Sequence, residues 1–181
     1  MDYLVTVAAN ASYKTVAELK THLLLFGDNS YDSELQSILL AAEDYLSGYL
    51  GEFISPTTVR VNVSSFGDTK LPHKANAGVV VTYWDAANTA QVVPSGDYVV
   101  DTSGAYPVIK YTTTPTGLSA LFDYVGYITY TTSLGIVSPK LSSAILLVAA
   151  ELFENRNNSS EKKAEAVQLS AMRLIQSLRG W

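Results

Sequence analysis

Cysteine is absent from the 181 residues, histidine and methionine occur twice each, and charged residues make up only 16% of the chain. Without cysteine there is no disulfide, no thiolate metal site and no thiol nucleophile, in keeping with a reducing compartment. The longest strictly apolar run, Ala144 to Ala150, has seven residues. A helix across hydrocarbon needs about 20, so no transmembrane role is expected. The opening Met1-Asp2-Tyr3 begins with an acid and lacks a basic flank, so no secretory signal is expected either. Positive charge is in deficit: Lys plus Arg number 12 against 17 for Asp plus Glu, a net −5. That balance disfavours sequence-independent attraction to phosphate backbones or anionic lipid. Neither histidine, His22 or His73, belongs to a metal-ligand spacing, and both phosphate-cradle patterns, G-x-x-x-x-G-K-[ST] and G-x-G-x-x-G, are missing. No metal and no cofactor are expected.

What the chain does have is 48% hydrophobic residues, enough for one core at this length. Thr15-x-x-Glu18 has the form of a capping box, and Val16, Leu19, Leu23 and Phe26 follow at helical steps, which predicts a first helix over about 15–26. Gly27-Asp28-Asn29-Ser30 interrupts it. Leu35, Ile38, Leu39, Ala42, Leu46 and Tyr49 then share a stripe closed by Gly51, predicting a second helix over about 33–50. From Pro56 to Leu134 the chain turns to Val, Thr and Tyr punctuated by Gly, Pro, Asn and Asp, which predicts five or six antiparallel strands in a meander or small barrel. Ser138-Pro139 starts a third helix with Leu141, Ala144, Ile145, Val148, Leu152 and Phe153 on its apolar stripe. Ser159 or Ser160 starts a fourth, carrying Ala164, Val167, Ala171, Leu174, Ile175 and Leu178.

The expected fold class is therefore α+β: a four-helix bundle of two N-terminal and two C-terminal helices, with an inserted antiparallel β-sheet or small β-barrel. The expected division is a helical core of residues 1–55 and 135–181 and an inserted β subdomain of residues 56–134.

Catalysis needs an acid, a base and a nucleophile gathered in one place, and the candidates are scattered. Gly117-Leu118-Ser119 begins like a nucleophile elbow but lacks the second glycine. Glu43, Asp44 and Glu52, or Glu151 and Glu154, are read first as acids of solvated helix faces. The chain is expected not to be an enzyme. Lys162, Lys163, Arg156, Arg173 and Arg179 make the C-terminal stretch the most basic part, and it reads as solvated helix charge or a protein-docking edge. Seven of the twelve tyrosines, Tyr83, Tyr98, Tyr106, Tyr111, Tyr124, Tyr127 and Tyr130, crowd the β block. Tyrosine suits both half-exposed strands and interfaces, because it buries ring area while keeping a wet hydroxyl.

Two stretches carry a resemblance. Thr15 to Leu23, followed by an acidic loop and Leu35-x-x-Ile38-Leu39-x-Ala41-Ala42-x-x-Tyr45-Leu46-x-x-Tyr49-Leu50-Gly51, is similar to the head-to-tail connector (adaptor, head-completion) family of tailed double-stranded DNA phages. So is Ser138-Pro139-Lys140-Leu141-x-x-Ala144 through Leu152-Phe153-Glu154-Asn155-Arg156, which resembles the family's proline, apolar helix and Tyr/Phe-Glu-Asn-Arg pattern. The resemblance covers about 100 residues at the two helical ends and leaves residues 56–134 unconstrained. It implies a structural virion protein at the head-tail neck, assembled in the host cytoplasm. Its copies join a ring, usually of twelve, beneath the portal protein. That ring meets a stopper or tail-terminator ring and passes DNA through its channel without specific binding.

On this reading Lys162, Lys163, Arg173, Arg179 and Trp181 dock on the portal. Tyr83, Tyr98, Tyr111, Tyr127 and Tyr130 meet a neighbouring subunit or the next ring, and Arg156 clamps a carboxylate such as Glu43 or Asp44. The alternative is a β-rich ligand- or carbohydrate-binding module of a virion or tail component.

Overall fold

A computed structural model describes residues 3–9, 11–75, 77–155 and 176. Its elements run β1 (Tyr3–Val7), α1 (Val16–Leu23), α2 (Asp32–Leu50), β2 (Thr57–Val63), β3 (Thr69–Lys70), β4 (Ala77–Trp84), β5 (Ala90–Val92), β6 (Tyr98–Asp101), β7 (Val108–Tyr111), β8 (Gly126–Thr132) and α3 (Pro139–Asn155). They fall into two compact units. The β unit takes the chain up to Ala8 together with Pro56–Ser133, and the helical unit takes Ala9–Ser55 and the chain from Leu134 on.

In the helical unit, Thr15 caps α1 as its sequence predicts. The Glu18 backbone N–H donates to the Thr15 hydroxyl at 3.2 Å, and the Thr15 backbone N–H donates to Glu18 Oε2 at 2.9 Å. The helix stops at Leu24, which adopts the left-handed conformation at φ 59°. It is therefore shorter than its apolar pattern suggests. Lys20 reaches across the following turn to Asn29 Oδ1 and Asp32 Oδ1, both at 2.6 Å. The core consists of Leu19 from α1, Leu35, Leu39, Ala42 and Leu46 from α2, and Leu141, Ala144, Ile145, Val148 and Ala149 from α3, closed by Ile54 and Val137.

The β unit holds an antiparallel five-stranded sheet in the order β1-β2-β8-β4-β5 and an antiparallel three-stranded sheet in the order β3-β7-β6. Alternation places Val59, Val61, Val63, Val81, Ile128 and Tyr130 on the inner face of the larger sheet, all buried. Ile109 and Thr69 are buried from the smaller one. Phe66 links the two sheets, standing edge-on to Tyr83 at 6.4 Å and to Tyr111 at 5.2 Å.

The four-helix bundle is thus corrected. Among the described residues there are three helices and eight strands, and the body is sheet-rich. The physical reason lies in the strands, which bury a core of their own on two sheets instead of decorating a bundle. The N-terminal strand β1 also pairs with β2 and belongs with the sheets. The fourth helix expected after Ser159 lies outside the described residues.

Candidate functional site: the outer surface of the β unit

No described group of three or more His, Asp or Glu side chains is arranged to hold a metal ion. Two of the possible catalytic groups, Ser119 and Glu43, are committed to structure. Ser119 Oγ donates to Asn88 Oδ1 at 2.6 Å and accepts from the Leu121 N–H at 3.1 Å, so its nearest partner is an amide and not a base. Glu43 is 3% exposed. Its Oε1 accepts from Ser12 Oγ and the Tyr13 N–H, both at 2.7 Å, and its Oε2 accepts from Ser55 Oγ at 2.5 Å. Glu43 therefore ties the segments flanking α1 and α2 together.

Glu151 is also buried, with neither oxygen hydrogen-bonded. Burial first, and then the nearby Glu154 charge, push its carboxyl above the ordinary 4.5. His73 packs edge-on against Tyr3 at 4.6 Å, and His22 is exposed on α1. A cleft of about 360 Å³ after β2 contains one carboxylate, Asp68, and one phenol, Tyr124, among its lining groups.

The outer face of the larger sheet carries several exposed apolar side chains, Leu4, Val80 and Val92 among them. Register places Leu4, Arg60, Thr129 and Val80 in one row across four strands, with Asn62, Tyr127, Thr82 and Val92 in the next row on the same side. The Arg60 guanidinium lies 3.8 Å from the Tyr127 ring centroid and its Nε donates to Asn62 Oδ1 at 3.1 Å. Trp84 packs on Phe122 at 4.6 Å and on Tyr127 at 6.0 Å. Leu121 and Phe122 beside them are exposed.

The five expected interface tyrosines separate on this geometry. Tyr127 is half-buried on the outer face under Arg60. Tyr98 donates from its hydroxyl to the Val79 carbonyl at 2.9 Å, and Tyr83 packs against Phe66. Tyr111 is partly buried beside Phe66, and that burial pushes its hydroxyl up to about 12. Tyr130 is 0% exposed and belongs to the core, so a neighbouring subunit has no surface there to meet. Lys162, Lys163, Arg173, Arg179, Trp181 and the expected clamp Arg156 lie outside the described residues. Glu43, one of the carboxylates named for that clamp, already has donors on both oxygens.

Sequence reasoning gave the strand-like start of the chain no pairing partner and did not foresee β5. All five residues of β1 and all three of β5 are exposed. The signal was present as a short apolar run before the first helix, but its isolation from the β block hid the pairing partner.

No family model matches the chain, and no curated protein matches it either. Solved structures do. The chain aligns over its full length, and over 96% of each counterpart, with chains from the virion of a native gene transfer agent particle (22% identity, TM-score 0.72), from the neck of an empty gene transfer agent particle computed with C6 symmetry (24%, 0.70) and from the neck of a native one computed with C12 symmetry (21%, 0.69). The fold of the two units is shared with these particle components.

Proposed function

We propose that this chain is a structural protein of a virion neck, a ring-forming adaptor that binds beneath the portal and continues the DNA channel toward the tail. The observation that carries the reading is the full-length match in fold to chains of gene transfer agent virions and necks, two of them from reconstructions with sixfold or twelvefold symmetry. The helical ends that resemble the connector family supply the helical unit.

Two details complete the proposal. The basic segment with Lys162, Lys163, Arg173, Arg179 and Trp181 faces the portal, and the outer surface of the β unit faces copies of the chain or the next neck ring. The carbohydrate-binding alternative would draw on the exposed Phe122 and Tyr124, since Arg60 already covers one face of Tyr127.

Negative-stain images of the protein mixed with its portal are expected to show a coaxial annulus under the portal. Portals that stay bare at saturating protein would remove the adaptor reading. Deleting residues 162–181 is expected to abolish cosedimentation with portal rings, and undiminished binding would dismiss the docking segment alone.

A further inference from the structure

We infer that neighbouring copies of the chain join edge to edge through the larger sheet, β1 of one copy adding in parallel to β5 of the next. The inference rests on the ring proposed above and names the surface that builds it.

An open sheet edge presents unpaired backbone donors and acceptors, and folded proteins usually guard it with lysine, proline or a charged inward residue. Here neither edge carries a lysine, a proline or a charge, and the protection is confined to a bulge after Val5 in β1 and the three-residue length of β5. β1 reads Tyr-Leu-Val-Thr-Val and β5 reads Ala-Gln-Val, with no charge and no proline in either. Among the described residues, no strand pairs with the outer side of either one. Leu4 is 62% exposed and Val92 64%. The register of β1 slips between Val5 and Val7, where the Thr6 hydroxyl turns to the Thr58 carbonyl. The regular part of β1 is therefore Tyr3–Val5, equal in length to Ala90–Val92.

The direction of the strands selects the partner. Four successive antiparallel pairings separate β1 from β5, so the two edges run in the same sense. A two-fold axis would place β1 antiparallel to another β1 and leave β5 open. A rotation that carries one copy onto the next instead puts β5 beside the neighbour's β1, in parallel. It satisfies both edges at once, which is the head-to-tail interface that closes rings. A strand from a different protein would cover only one edge. Register also puts Leu4 and Val92 on the same face, so the exposed apolar side chains of the two edges meet across the joint.

The lack of cysteine makes the test clean. The double variant Leu4→Cys/Val92→Cys, assembled on portal and treated with a short bismaleimide, is expected to give a ladder of covalent multimers, while either single variant stays monomeric. Annuli that form without a ladder would overturn the edge joint and leave the adaptor reading standing. Dimers from Leu4→Cys alone would replace it with two-fold pairing, and a ladder that needs a further neck protein would replace the occupant. If the unmodified chain forms no annulus and the double variant no ladder, both readings fall. As a second measure, Leu4→Lys is expected to keep the monomer's circular dichroism and melting temperature but lose the annulus. Adding Val92→Glu is expected to restore it. Annuli formed by Leu4→Lys at wild-type yield would count against the joint.

Discussion

At Gly126 the β unit depends on the absence of a single atom. A Cβ there would lie 2.2 Å from the Thr82 carbonyl oxygen and 3.0 Å from the Tyr83 Cα, both backbone atoms that cannot rotate away. Gly126 faces Tyr83 in the β4–β8 register, so Gly126→Ala must push two central strands apart. We expect a loss of about 1–3 kcal/mol, the usual cost of overpacking, measured by urea denaturation; a loss below 0.5 would show that the strands part freely. Glu151 poses the opposite problem, a buried carboxyl without a hydrogen-bond donor. Because its proton is held above the ordinary 4.5, the folded protein retains a proton that the unfolded chain releases, and stability falls as pH rises through that interval. Glu151→Gln is expected to flatten that part of the pH profile and to stabilise the protein at pH 7. A melting temperature at pH 7 equal to or below that of the parent would contradict it.

Among the elements, α1 shows how far local sequence signals reach. Thr15→Ala removes a hydroxyl acceptor from the first turn and should cost about 1 kcal/mol. The Glu18 carboxyl is lowered from 4.5 to about 2, chiefly by the Lys14 ammonium and then by the Thr15 backbone N–H. Its contribution is present above 4.5 and is lost as pH falls toward 2, so the stability difference between the parent and Glu18→Gln should narrow over that range. A constant difference, measured by thermal melts at stepped pH, would mean that the charge is irrelevant. The box was legible because its groups lie three residues apart. The Asp85–Asn88 turn is local in the same way: Asp85 Oδ1 accepts from the Ala87 and Thr89 N–H groups and Asn88 takes a positive φ. By contrast, β1 pairs with β2 more than fifty residues away, with two helices between. No local pattern encodes that contact. Tyr130 was misplaced for a related reason: alternation gives a period, and only the register shows which side faces inward.

For the whole molecule, charge is distributed unevenly along the chain. Residues 1–155 contain seven Lys and Arg against fifteen Asp and Glu, while residues 156–181 contain five against two. A conduit that grips its cargo would stall it, and each phosphate contact adds salt-sensitive affinity through counterion release. On the proposed reading, the acidic majority of the chain works against such contacts, and repetition around a ring would compound the repulsion within a Debye length, about 8 Å at physiological salt. The basic stretch is the part of the sequence where residual affinity is most expected. Fluorescence anisotropy with a short duplex is therefore expected to show no binding tighter than about 10⁻⁴ M at physiological salt, the weak end of nonspecific association. Any binding at low salt should disappear when residues 162–181 are deleted. Micromolar affinity at physiological salt, or low-salt binding that survives the deletion, would mean that the β unit or the helical core contacts DNA directly, and a passive channel wall would then be the wrong description.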